Sequence, residues 1–102
     1  MEFTCKKIEN CFTNSANFQY ALEVRAESFM DSIDDWASIR VNEKLRRPTF
    51  IGAFAGGIQV KGVLAKNSIR VGYPEDRWED CKERFEARLA AMDAAEISED
   101  TE

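Results

Sequence analysis

The chain has 102 residues, 44% of them hydrophobic and 32% charged, with a net charge of −5 at neutral pH. This length suits one domain that can bury its own core without disulfide or metal staples, and an aromatic content of 11% excludes a chain too polar to collapse. No apolar run approaches the ~20 residues of a spanning helix, no apolar segment follows Lys6-Lys7 to form a signal peptide, and the lack of histidine removes the commonest general base and zinc ligand.

In chain order, Phe3, Cys5 and Ile8 suggest a first strand, with Thr13 to Asn17 as the connecting turn. Phe18, Tyr20, Leu22, Val24 and Ala26 then alternate with Gln19, Ala21, Glu23, Arg25 and Glu27, the period-two pattern of a strand with one buried face. From Ser28 the period changes. Phe29, Met30, Ile33, Trp36, Ala37, Val41 and Leu45 recur at helical spacing, Ser28 and Asp31 resemble a capping box, and Pro48 ends the run, so the spacing predicts a helix over 28–47. Ala37, Ile39 and Val41 also alternate, which leaves a strand open for the second half.

Residues 49–73 read as three strands. Phe50 to Phe54 leads into a Gly56-Gly57 turn, Ile58 to Leu64 into a Lys66-Asn67 turn, and Ile69, Val71 and Tyr73 form the last strand. Pro74 is expected to open a final helix whose apolar stripe is Trp78, Cys81, Phe85, Leu89 and Met92, with Asp80 and Arg84 paired on the wet side. The expectation is a single α+β domain over residues 1–95, mostly antiparallel, with about five strands in the order β-β-α-β-β-β-α. Both helices pack on one face and bury Trp36 and Trp78, and an acidic, disordered tail follows over 96–102. The α-β-β-β-α order resembles that of double-stranded-RNA-binding domains. Those domains start their final helix with basic residues, where this chain has Pro74-Glu75-Asp76, so the resemblance carries nothing further.

Charge is the unusual feature. Residues 40–73 carry seven cations (Arg40, Lys44, Arg46, Arg47, Lys61, Lys66, Arg70) against Glu43 alone, whereas the flanking segments are acidic. The cationic block is a candidate interaction surface, with Phe50, Phe54 or Tyr73 as candidate stacking rings for single-stranded nucleic acid. A solvated surface balancing the acidic helix is the plainer account. Asp34, Asp35, Glu75, Asp76, Glu79 and Asp80 form a candidate acidic surface, a polyanionic face of the kind that occupies the nucleic-acid groove of a basic partner, for which solubility and the helix dipole are the plainer account.

Catalytic and metal signatures are missing. Gly52 to Gly57 lacks the Lys-Ser/Thr of a phosphate loop. Cys5, Cys11 and Cys81 lack zinc spacing and read as reduced, buried thiols, and Cys81 has no histidine to activate it. Adjacent Asp34 and Asp35 point about 100° apart on a helix. No catalytic residue, metal or cofactor is expected. The leading expectation is a cytoplasmic, non-enzymatic protein-binding module (in the host cytoplasm if viral), a regulator or inhibitor of the kind phages and mobile elements encode. Nucleic-acid binding through the basic block is the alternative. No membrane contact is expected, and a homodimer through the 49–73 sheet face, where Ile51, Ala53 and Val63 point away from the helices, stays open.

Overall fold

The computed structural model describes residues 1–9, 15–44 and 46–93. The elements are β1 (Thr4–Ile8), β2 (Ser15–Ala21), α1 (Ala26–Ser32), β3 (Ser38–Asn42), β4 (Thr49–Ala53), β5 (Gln59–Val63), β6 (Ser68–Pro74), a 3-10 turn (Glu75–Arg77) and α2 (Trp78–Ala91). The strands form one sheet in the order β1-β2-β6-β5-β4-β3, antiparallel at every junction. The α+β class and the two-helix layer are as the sequence implies, but the sheet has six strands rather than about five.

The sixth strand comes from the segment expected to be helical. α1 stops at Ser32, and Ile33 is already extended. From Ser38 the chain pairs with β4, Ile39 opposite Gly52 and Val41 opposite Phe50, and the Ala37 amide extends the ladder to the Ala53 carbonyl at 2.8 Å. Ile and Val have restricted side-chain torsions that suit a pleat, and the neighbouring hairpin supplies the hydrogen bonds a marginal helix would have made for itself. Arg40, Lys44, Arg46 and Arg47 therefore lie on β3 and the β3–β4 turn instead of at a helix end. The helix also starts earlier than Ser28, with Arg25 as its cap residue.

β2 ends at Ala21, yet alternate burial continues through Leu22, Val24 and Ala26. The reason is that this extended stretch runs along the β5–β6 turn, its Leu22 and Ala26 amides donating to the Asn67 and Lys66 carbonyls at 2.7 Å. The expected connecting turn at 13–17 is partly strand, since Ser15 to Asn17 belong to β2, and its remainder lies outside the described residues. Gly56 and Gly57 have φ of 98° and 97°, the left-handed backbone that glycine makes inexpensive. Pro74 ends β6 rather than opening the helix, which begins at Trp78 after the 3-10 turn.

Both helices cover the same sheet face. Phe85 of α2 contacts the rings of Tyr20, Tyr73 and Phe29, the last from α1. The core comprises Tyr20, Tyr73, Phe29, Phe50, Ile69, Leu89, Val60 and Val71, all fully buried. Trp36 and Trp78 are only half-buried; they flank the core, stacked on Phe54 and Phe18. Cys81, Phe85 and Leu89 form the buried stripe of α2, and Asp80 pairs with Arg84 at 3.1 Å. Cys5, expected to be buried, is exposed on β1. Cys11 and the acidic tail lie outside the described residues, among which no helix is long and apolar enough to cross a membrane.

Candidate docking surface

Residues directly opposite one another on adjacent strands point to the same face, and alternate residues point to opposite faces. With Tyr20, Val71 and Phe50 beneath the helices, the other face is fixed by the register. One row crosses the whole sheet: Lys6, Gln19, Arg70, Lys61, Ile51 and Arg40. At about 4.8 Å between strands the row is about 24 Å long. It holds four cations, and Ile51 in its second half is 47% exposed. The flanking row Ile8, Asn17, Gly72, Gln59, Ala53 and Ser38 is uncharged, as are Thr4, Ala21, Ser68, Val63, Thr49 and Asn42 on the other side. No strand position on this face is a carboxylate.

A depression of about 580 Å³ is lined by Arg40, Lys61, Lys66, Arg70, Gln19 and Ile51 among others. The Arg70 Nε donates to Gln19 Oε1 at 3.4 Å, orienting the guanidinium along the row. The β3–β4 and β5–β6 turns, carrying Lys44, Arg46, Arg47 and Lys66, project from the same end of the sheet and are joined by a 2.9 Å bond from the Leu64 amide to the Pro48 carbonyl. All seven cations singled out from the sequence thus fall on one face or at one end of it. Lys6 was missed because it lies in a segment whose charge sums to acidic; only the pairing register of β1 brings it into the row.

The candidate stacking rings do not belong to this surface. Phe50 and Tyr73 are buried beneath the helices, and Phe54 lies against Trp36 at 4.5 Å between ring centres.

The candidate acidic residues are divided. Asp35 is gripped by Arg88 through two bonds of 2.6 and 3.2 Å, and this pairing holds its carboxyl below the usual range. Asp80 pairs with Arg84, and Asp76 lies 3.9 Å from Arg77. Asp34, Glu75 and Glu79 are exposed. With Asp80, Glu79 and Glu83 on α2, the helical side is acidic and the sheet side basic. The shortest dimension of the molecule is 24 Å, several times the ~8 Å screening length at physiological salt. The cations therefore act on a partner with little interference from the net charge.

A second polar cluster lies under α2. Tyr20 Oη is 2.6 Å from Tyr73 Oη and donates to Glu86 Oε2 at 2.8 Å, and Lys82 Nζ lies 2.8 Å from the same carboxylate oxygen. Burial pushes both phenols up. Desolvation likewise raises the Cys5 thiol beside them, so it stays protonated at neutral pH and is a poor nucleophile. Cys81 is buried in the α2 stripe. These groups join helix to sheet. Among the described residues no group of three or more acidic or cysteine side chains could hold a metal ion. Comparison with protein families, curated proteins and solved structures gives no match.

Proposed function

We propose that the protein is a non-enzymatic binding module that docks the open face of its sheet onto an acidic surface of a protein partner, as a small regulator or inhibitor does. The observation that carries this reading is the row from Lys6 to Arg40, which sets four cations on a face without strand carboxylates. Lys61 and Arg70 stand directly opposite each other in that row. Like charges in that position destabilise a sheet, and an acidic ligand offsets the cost. Ile51 gives the same face an apolar anchor ringed by polar groups, the arrangement of an interface hot spot. A protein partner is favoured over single-stranded nucleic acid because the strand positions of this face carry no aromatic ring for base stacking.

The test is affinity purification from the source lysate, with and without nuclease, comparing the natural chain with an Arg40→Glu, Lys61→Glu, Arg70→Glu variant. A stoichiometric protein retained after nuclease and lost from the variant is the expected result. Retention of that protein by the variant would remove the sheet face from the account. Recovery of nucleic acid alone, with nothing left after nuclease, would replace the protein partner by phosphate contacts.

A further inference from the structure

Sheet faces and sheet edges take different occupants. β2, β6, β5 and β4 each pair on both sides, so their peptide groups are spent in the ladders and the open face offers a ligand only side chains. An extended segment laid on such a face would lose water from its own N–H and C=O groups without gaining partners. A helix satisfies those groups internally and presents only its side chains.

The depression on this face has the course of a helix. Along one side stand Arg70, Lys61, Ile51 and Arg40, one from each of four adjacent strands. Two residues nearer the turns come Ser68, Val63, Thr49 and Asn42, smaller side chains that line its middle. Beyond them lies Lys66 on the β5–β6 turn. The depression therefore runs across the strands. From Gln19 on β2 to Arg40 on β3 it covers four strand spacings, about 19 Å, the length of ~13 helical residues. An extended peptide parallel to the strands would cross the row only once.

The row repeats once per strand, about 4.8 Å, and one face of a helix repeats once per turn, about 5.4 Å. Read from β6 to β3, the row is cation, cation, apolar, cation, with Ile51 47% exposed between Lys61 and Arg40. Its complement on a helix is carboxylate, carboxylate, apolar, carboxylate at i, i+4, i+7 and i+11. Over three steps the two repeats drift apart by about 2 Å, which the flexible Arg and Lys stems absorb.

We propose that the partner element seated in this depression is an acidic amphipathic α-helix lying across β6, β5, β4 and β3. Its carboxylates stand over Arg70, Lys61 and Arg40, and an apolar side chain packs against Ile51. The inference rests on the reading of this face as a docking surface and specifies what docks there. Charge complementarity recommends the occupant, because the face has no carboxylate at its strand positions. Lys66 takes a further carboxylate from the other flank of the helix.

The probes are fluorescein-labelled, alanine-based peptides with three glutamates and one leucine, held helical by a staple on the outer side. Two carry the i, i+4, i+7, i+11 pattern, one in each chain direction. A third has the same composition with the four residues spread around the helix, and a fourth replaces the staple by a central proline, which breaks the helix. In anisotropy titrations of the natural chain at low salt, one patterned helix should bind about tenfold more tightly than the third and fourth peptides, the effect of three exposed ion pairs in register. Arg40→Glu should remove that advantage, and lysine in place of the peptide's glutamate beyond the leucine should restore it in this variant. Equal affinities, or tightest binding of the proline peptide, overturn the helix and leave the docking surface standing. An advantage that survives Arg40→Glu also overturns it, since the helix would then lie elsewhere. Should no peptide bind, the acidic-surface reading falls and the helix with it, and binding of oligothymidylate in that case would assign the face to phosphates.

Discussion

Lys61 on β5 and Arg70 on β6 are direct neighbours in the ladder, both turned to the face without helices. Replacing Arg70 by Glu converts a repulsive cross-strand pair into an attractive one, a change of ~0.2–1 kcal/mol in favour of the fold, or a rise of a few degrees in Tm for a domain of this size. The same substitution should weaken binding of an acidic peptide. Opposite signs for stability and affinity are the outcome expected of a residue kept for its ligand. A variant that melts lower and binds as before would make Arg70 a structural residue. Thermal melts and peptide anisotropy on one preparation decide the matter.

The Tyr20–Tyr73 pair makes a prediction about order. Tyr20 has one hydroxyl proton and gives it to Glu86 at 2.8 Å, so in the 2.6 Å contact Tyr73 is the donor. Tyr20→Phe leaves the buried Tyr73 hydroxyl without its acceptor and takes a donor from Glu86, a loss of ~1–3 kcal/mol. Tyr73→Phe removes only the outermost donor and should cost about 1 kcal/mol. Urea melts of the two variants check this ranking, and a reversed order would mean that the proton runs the other way.

Acid should weaken the same junction. Burial pushes the Glu86 carboxyl up, but the Lys82 ammonium and the Tyr20 hydroxyl outweigh it and hold the group below its ordinary 4.5. A carboxyl lowered in the folded state contributes stability that is fully present above its unfolded value and is lost as pH falls through the folded one. The contribution should therefore be constant from pH 7 to about 5 and decline below about 4.5. Asp35 has the same direction through Arg88, but its exposure makes that part sensitive to salt. Melts against pH in high salt should keep the Glu86 component, and Glu86→Gln should flatten it.

These contacts mark where the sequence can and cannot be read. The stripe Cys81, Phe85, Leu89 was plain because it needs only local spacing, as were the Gly56-Gly57 turn and the alternation from Phe18 to Tyr20. The segment after Ser32 was ambiguous for a physical reason: Trp36, Ala37 and Val41 satisfy a helical period, while Ala37, Ile39 and Val41 satisfy a strand, and only the open edge of β4 decides between them. The basic surface was half visible. Its cations from 40 to 73 are close in sequence, but the transverse row depends on five strand registers, and Lys6 joins it from 34 residues upstream of Arg40. The stacking reading of Phe50 and Tyr73 failed on parity, since both alternate with the residues of the open face.

Gly52 supplies the sharpest test of how β3 and β4 are packed. A Cβ at this position would lie 2.8 Å from two ring carbons of Trp36. That ring has little room to yield, because its Nε1 donates to the Met30 carbonyl at 3.2 Å and its face is stacked on Phe54 at 4.5 Å. Gly52→Ala should therefore expel the indole and cost ~1–3 kcal/mol, the usual range for overpacking. Measured in a Trp78→Phe background, where Trp36 is the sole tryptophan, the variant should show red-shifted tryptophan fluorescence. Gly56→Ala is the control. Nothing lies within 4 Å of a Cβ there, but φ is 98°, so strain alone should cost about 1 kcal/mol with the emission unchanged. If Gly52→Ala is neutral in both readouts, the indole does not lie over β4 and the packing of the β3 edge must be redrawn.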